Sequence, residues 1–278
     1  MTVLELPPHP DGTPEAPDDL LVVGNATTLI RLAGFTVLTD PNFLHAGQRA
    51  HLGYGLWSKR LLDPALRVDQ LPPLDLVVLS HLHGDHFDRV ARRGLDRSVP
   101  LVSTRHAVRR LRPQGFAAHA LDTWSSFELR RGPASLRVTA LPGTHAPGPL
   151  QALLPPVMGS LLEARRHPDA PPLRLYLTGD TLVGEHVDEI ARREPDLDVA
   201  VLHLGGTRVL GVLVTMDGEQ GAELLRRVRP RRAVPVHHED YTVFTSPLSD
   251  FREAVGRAGL DTEVDWVARG ERVALRRG

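Results

Sequence analysis

The sequence predicts an α/β domain in which two sheets are flanked by helices. Three features predict it. β-rich runs come first, LLVVGNATTLIRL from Leu20 and then FTVLTD. Apolar strands then alternate with amphipathic helical segments, the signature of βα units. The tail, EVDWVARGERVALRRG, reads as a closing hairpin.

Residues 1–19 are rich in Pro and Asp and read as a loose lead-in to a single domain over 20–278. Ala33-Gly34 between the first two β runs suits a hairpin turn. Residues 41–73 carry Phe43, Tyr54 and Trp57 with weak periodicity and read as a long loop or lid with short helical turns. Buried strands follow at 75–80, 99–103, 136–142, 173–178, 197–204 and 232–237. Met158 lies on a further strand and reads as core. Helices are expected near 86–95, 104–112, 184–194, 217–229 and 247–259. Asp217 with Gln220 suits an N-cap and its N3 partner. Ser246-Pro247 suits an N-cap followed by Pro at N1. A second Pro/Gly loop spans 143–156, and the tail hairpin turns at Arg269-Gly270.

Composition narrows the chemistry. The 278 residues are 41% hydrophobic and 24% charged, a globular balance. Net charge is −1, so no basic excess points to nucleic acid. There is no Cys, which excludes disulfides, thiolate catalysis and Cys-ligated metal. A transition-metal site must therefore use carboxylates and the 14 His. The N-terminus lacks a basic n-region and an apolar h-region, and no apolar run spans a membrane. A soluble cytoplasmic protein acting on a small molecule is expected. The sequence leaves the oligomeric state open, a homo-oligomer included.

One segment is far more specific than the rest. The strand DLVVLS runs into His81-Leu82-His83-Gly84-Asp85-His86. His81 and His83 are two apart on extended chain, point the same way and can share one ion. Gly84 is expected to permit a sharp turn. Asp85 and His86 are expected to open a helix and reach a second ion. Four such groups in six residues are costly to bury, and metal compensates them together.

This motif resembles the signature of the metallo-β-lactamase superfamily. The resemblance implies a four-layer αβ/βα sandwich of two mixed sheets with a dinuclear metal site. It also implies a later His, a bridging Asp and a final His. His145 after VTALPGT, Asp180 after LYLTG and His237 after AVPV stand in that order. Asp40 in LTDPNF and the opening GNATTLIRLAGF resemble the branch of ascorbate-phosphate lactonases and N-acyl-phosphatidylethanolamine phospholipase D. In that branch Asp40 supports the site without ligating. The match spans roughly 20–276. Of the adjacent pair His237 and His238, the resemblance favours His237 as ligand, with His238 toward a helix layer or the pocket. Two departures stand out: Met216 where relatives often carry His, and Tyr241 where they carry Gly, Thr or Phe.

By this resemblance one ion rests on His81, His83 and His145 and the other on Asp85, His86 and His237, with Asp180 bridging. A bridging hydroxide then attacks an ester or lactone carbonyl, and Asp85 orients it or moves its proton. Two divalent ions are expected, zinc first, manganese second and iron third. Alternatives are a phospholipase D-like phosphodiesterase, an iron-dependent redox protein and a non-catalytic metal binder. His203 and Arg208 are further candidates for the substrate or the layer behind the ligands. Trp57, Tyr54 and Phe43 are candidates for pocket walls. His9, His51, His106, His119, His167 and His186 receive no role.

Overall fold

Alternation along the strands decides the layers, because successive side chains point to opposite faces. In Val199–His203 (β14), Val199 and Val201 enter one core and Leu202 another. In Thr27–Leu32 (β3), Ile30 and Leu32 face the first of these cores and Leu29 a third. The computed structural model describes residues 2–8, 17–53 and 55–276.

The larger sheet orders its strands Thr2–Glu5 (β1), Ser126–Arg131 (β10), Ala134–Pro142 (β11), Met158–Arg165 (β12), Leu173–Leu177 (β13), β14, Arg232–Val236 (β17) and Glu263–Val264 (β18). The second orders Arg272–Ala274 (β19), Asp19–Gly24 (β2), β3, Phe35–Thr39 (β4), Leu76–Val78 (β7), Leu101–Ser103 (β8) and Ala118–Ala120 (β9). Two small hairpins, Arg49–His51 (β5) with Trp57–Lys59 (β6) and Arg208–Val209 (β15) with Val212–Leu213 (β16), stand outside them. Both sheets are mixed. β13, β14, β17 and β18 are parallel, as are β4, β7, β8 and β9.

The first core lies between the sheets. Arg89–Gly94 (α1) and Arg105–Leu111 (α2) cover the outer face of the second sheet through Ala91, Ala107, Val108 and Leu111. Glu185–Arg193 (α3), Gly218–Val228 (α4) and Leu248–Ala258 (α5) cover the larger sheet through Val187, Ile190, Leu224, Leu225 and Phe251. This is the four-layer αβ/βα sandwich of two mixed sheets. Met158 is core, as read. No helix among the described residues is long and apolar enough to cross a membrane.

Ala33 and Gly34 turn the β3–β4 hairpin with φ of 48° and 82°, the left-handed pair such a turn requires. Several local expectations are corrected. The lead-in carries β1, parallel to β10, while residues 9–16 lie outside the described set. The 41–73 stretch holds the β5–β6 hairpin as well as one 3-10 turn at Val68–Gln70. The tail is no hairpin: β18 pairs with β17 and β19 with β2, so the chain crosses between sheets. α1 begins at Arg89, capped by Asp88, so Asp85 and His86 occupy a turn before it. Asp217 does cap α4, but the Gln220 side chain accepts from the Val183 N–H at 3.0 Å instead of closing a capping box. Pro247 is the N-cap of α5, and Ser246 Oγ instead accepts from the Gly218 N–H.

Candidate metal centre

The parallel strands place the chemistry. Asp40 follows β4, His81 follows β7, Asp180 follows β13, His203 ends β14 and His237 follows β17. All are carboxyl ends of parallel strands, where side chains of different strands converge. The sheets are stitched together there. Met158 N–H donates to Ser80 C=O at 3.0 Å, and His237 N–H to Asn25 C=O at 3.1 Å. Asp40 and His237 adopt left-handed φ of 38° and 62°. That conformation costs a non-glycine residue about 1 kcal/mol or more and directs each side chain inward as its strand ends.

Seven side chains form two groups of convergent donors. His81, His83 and His145 make one; Asp85, His86, Asp180 and His237 make the other. Within each group the donor atoms lie within 4.8 Å of one another. His81 Nε2 is 2.9 Å from His83 Nδ1, and His145 Nε2 is 3.4 Å from that same atom. His86 Nε2 is 3.2 Å from Asp180 Oδ2, and His237 Nε2 is 3.5 Å from Asp85 Oδ2. All but His83 are buried.

The outer nitrogens show how the imidazoles are oriented. His145 Nδ1–H donates to the Val214 carbonyl at 2.7 Å and His237 Nδ1–H to the Leu204 carbonyl at 2.9 Å. A carbonyl only accepts, so in the neutral ring each Nε2 is left with a lone pair facing inward. Ser80 Oγ donates to Asp40 Oδ1 at 3.0 Å, so His81 Nδ1–H donates to Ser80 Oγ, also at 3.0 Å. His86 Nδ1 faces Asp40 Oδ2 at 3.3 Å. Four rings thus aim an Nε2 at the cluster. His86 Nε2, His237 Nε2, Asp85 Oδ1 and Asp180 Oδ1 are buried with no hydrogen-bond partner among the described residues. Orphans of this kind are costly unless something positive binds them, and imidazole with carboxylate suits divalent transition ions. The residues fit divalent ions of this kind.

The beta-lactamase superfamily domain family matches residues 36–238. The chain belongs to that superfamily. Curated relatives agree. A UPF0173 metal-dependent hydrolase of Desulforamulus reducens is 26% identical over 76% of this chain and 90% of its own length. Another, from Carboxydothermus hydrogenoformans, is 24% identical over 91% and 98%. Among solved structures, a possible metal-dependent hydrolase from Veillonella parvula superposes with a TM-score of 0.78 at 23% identity, covering 93% of this chain and 100% of that one. Isothiocyanate hydrolase from Delia radicum gut bacteria gives 0.74 at 23% identity, over 92% and 98%. CmlA, a diiron β-hydroxylase from Streptomyces venezuelae, gives 0.62 at 16% identity, over 94% of this chain and 55% of its own. The fold is that of the beta-lactamase superfamily.

Electrostatics distinguish the two donor groups of this superfamily member. Burial pushes the His81 and His145 pKa down, and takes that of His83 to about 3. Burial also disfavours the His86 cation, but Asp180, Asp40 and Asp85 outweigh it and hold its pKa well above the ordinary value. His237 is raised in the same way, Asp180 and Asp85 overcoming burial. Burial opposes the Asp40 anion, yet His86 and His203 hold its carboxyl at about 2. The neighbouring carboxylates thus favour a proton on His86 and His237 in competition with an entering ion. Metal affinity is expected to fall as pH drops, because protons compete with the ion for the imidazoles. Calorimetry in two buffers of different ionisation enthalpy reads this; a heat independent of buffer would contradict it.

The remaining candidates divide. Asp40 stands behind the candidate donors, and His203 Nε2 lies 3.3 Å from its Oδ2 with Nδ1 3.2 Å from Thr178 Oγ1. Arg208 sits at the cavity rim, 3.5 Å from Asp217. His238 is outside both donor groups, facing the charges of Glu239, Asp240 and Arg269. Tyr241 is buried, its O–H donating to Asn42 Oδ1 at 2.9 Å beside the buried Arg60. Met216 is helix-layer core. Phe43 is core and no pocket wall, whereas Trp57 lines the cavity; Tyr54 lies outside the described residues.

Several supporting residues escaped sequence reading. Thr215 Oγ1 donates to Asp180 Oδ2 at 3.3 Å, and Asn25 Nδ2 to the Asp85 carbonyl at 2.7 Å. His186 touches Thr181 Oγ1 at 3.0 Å and Thr144 Oγ1 at 3.5 Å, bracing the neighbours of Asp180 and His145. Gly84 is needed for space and not for a left-handed turn: a Cβ there would meet His51 O at 2.6 Å. Gly84→Ala must push the β5–β6 hairpin off the metal loop. The expected loss is about 1–3 kcal/mol, read by denaturant unfolding; an unchanged midpoint would contradict it.

Proposed function

We propose that this metal-dependent hydrolase cuts a carboxylic ester or lactone whose acyl side is apolar. The shape of the cavity over the donors carries this reading. About 660 Å³ in volume, it is walled by Leu52, Leu56, Leu150, Leu153, Val209 and Val243. Its polar floor is His83, Asp85, His145 and Asp180. Apolar walls around one convergent polar point are the form of a site that holds a greasy group and orients one reacting bond. A carbonyl enters such a cavity neutral. A phosphodiester brings charge, and Arg208, the guanidinium on this wall, already faces Asp217.

In this reading His81, His83 and His145 hold one ion, Asp85, His86 and His237 the other, and Asp180 is shared. Zinc suits this donor set first, manganese second and iron third. When bound, the ions supply an activated water and a Lewis acid for the carbonyl oxygen. Asp85 Oδ1 has no hydrogen-bond partner among the described residues, and Asp85 lines the cavity floor. It orients the water and takes its proton. Thr215 fixes the Asp180 carboxylate, while Val214 and Leu204 fix the His145 and His237 rings. The chain's lack of Cys fits the cytoplasm.

Protein reconstituted separately with zinc, manganese and iron would be assayed on acyl nitrophenyl esters, lactones and a bis-nitrophenyl phosphate. Ester or lactone turnover is expected to exceed diester turnover. Faster diester cleavage would move the reading to a phosphodiesterase, and no turnover with any metal would overturn it. Asp85→Asn is expected to lower kcat by about a hundredfold or more.

A further inference from the structure

Arg60 follows β6 and is fully buried, yet it belongs to neither donor group. Its ion-pair partner, Asp240, lies three residues past His237 and is buried with it, 3.1 Å away. A buried pair of this kind adds little stability over apolar side chains of the same size. Its other bonds show what it does instead.

The guanidinium donates in three directions. Nε–H goes to the Leu62 carbonyl at 2.8 Å, Nη2–H to Asp240 Oδ1, and Nη1–H to both the carbonyl of Asn42, at 3.0 Å, and its Oδ1. Tyr241 O–H donates to the same Asn42 Oδ1 at 2.9 Å. With that oxygen held, the amide turns its Nδ2–H outward, and it donates to the Gly84 carbonyl at 3.2 Å. Asp240 carries a second route. Its Oδ2 accepts from the Asn25 N–H at 2.7 Å, with Arg269 3.5 Å away. Asn25 Nδ2–H then donates to the Asp85 carbonyl at 2.7 Å, while the Asn25 carbonyl accepts from His237 N–H at 3.1 Å. Both routes end on consecutive carbonyls, those of Gly84 and Asp85. The backbone makes room for their origin: Gly24 has a φ of 139°, and a Cβ there would lie 3.1 Å from Arg60 Nη2 and 3.3 Å from Asp240 Oδ1.

We propose that Arg60 is a positioning residue for the metal centre. Through Asn42 and Asp240 it fixes the Gly84–Asp85 backbone, and so the aim of the Asp85 carboxylate within the group it shares with His86, Asp180 and His237. The guanidinium fork is what the task needs, because one side chain must meet Asn42 and Asp240 together. His81 and His145 are oriented by Ser80 and the Val214 carbonyl, contacts outside this network. The effect therefore falls on one ion more than the other. This inference rests on the donor assignment above and not on which bond the enzyme cuts.

Zinc would be titrated against a competing chelator into the metal-free wild type, Arg60→Lys, Asn42→Asp and a control, Arg232→Lys. Arg60→Lys keeps the charge and loses the fork. Asn42→Asp keeps an acceptor for Arg60 and Tyr241 but puts an acceptor where the Gly84 carbonyl needs a donor. Arg232 pairs with Asp265 at 2.7 Å, at the end of β17 away from His237. One of two zinc ions should bind about 10–100-fold more weakly in Arg60→Lys and in Asn42→Asp, with the other unchanged. Arg232→Lys should bind both as the wild type does. Unaltered affinities in Asn42→Asp would overturn the proposal, as would equal weakening of both ions or a matching loss in Arg232→Lys. Should Arg60→Lys fail to fold, Asn42→Asp decides alone. A wild type that takes up fewer than two ions would contradict the donor assignment itself and this proposal with it. Two ions in the wild type and unaltered variants would end this proposal alone.

Discussion

Asp180→Asn is expected to lower ester hydrolysis by on the order of a thousandfold, the scale on which loss of one preorganised charge acts. The carboxylate is buried, its Oδ1 has no hydrogen-bond partner among the described residues, and although burial opposes its anion, His237 and His86 hold its pKa well below the ordinary carboxyl value. Its anion is thus favoured, within the donor group it shares with Asp85, His86 and His237. Asparagine keeps the volume and removes the charge. It also offers an amide N–H where a cation should sit. Metal content measured on the same preparation should fall alongside kcat. Full activity with two ions bound would show that Asp180 is not shared between them. The variant should still fold, because Asp180 enters no strand ladder and its Thr215 contact survives on the amide oxygen.

Asp40→Ala is expected to have the largest effect on stability. Its carboxylate accepts from Ser80 N–H at 2.7 Å and Ser80 Oγ, and faces His86 Nδ1 and His203 Nε2, each at 3.3 Å. Removing it leaves the buried His86 and His203 without the carboxylate they face and frees the Ser80 hydroxyl that orients His81. Loss of one partner from such a buried pair costs about 3–5 kcal/mol. Metal affinity should fall about 10–100-fold, as for other groups that orient ligands from behind. Thermal unfolding of the metal-free variant reads the first effect and competition with a chelator the second. The pH dependence has a defined sign. With a folded pKa of about 2 against an ordinary 3.8, Asp40 contributes stability above pH 4. That contribution is lost as pH falls through 4 toward 2. The alanine variant should lack this acid limb.

The candidate donors His81, Asp180 and His237 were legible in the sequence because each sits where an apolar run stops. VVLS ends before His81, LYLTG before Asp180 and AVPV before His237, and burial of those runs forces their ends to one rim. Chemistry that depends on distant partners was not legible. Thr215 and Ser80 carry no local signal of what they touch. The tail looked like a hairpin because local alternation identifies strands but not their partners. Only the sandwich sends β18 to one sheet and β19 to the other. Phe43 and Trp57 share one loop, yet the first joins the helix-layer core and the second is 60% exposed at the cavity mouth.

The central claim is a pair of neighbouring divalent ions held by seven named side chains. Anomalous diffraction from crystals of the metal-reconstituted protein tests it most directly. Two peaks are expected, one among His81, His83 and His145, the other among Asp85, His86 and His237, with Asp180 beside both. A single peak, or none at these imidazoles, would contradict it.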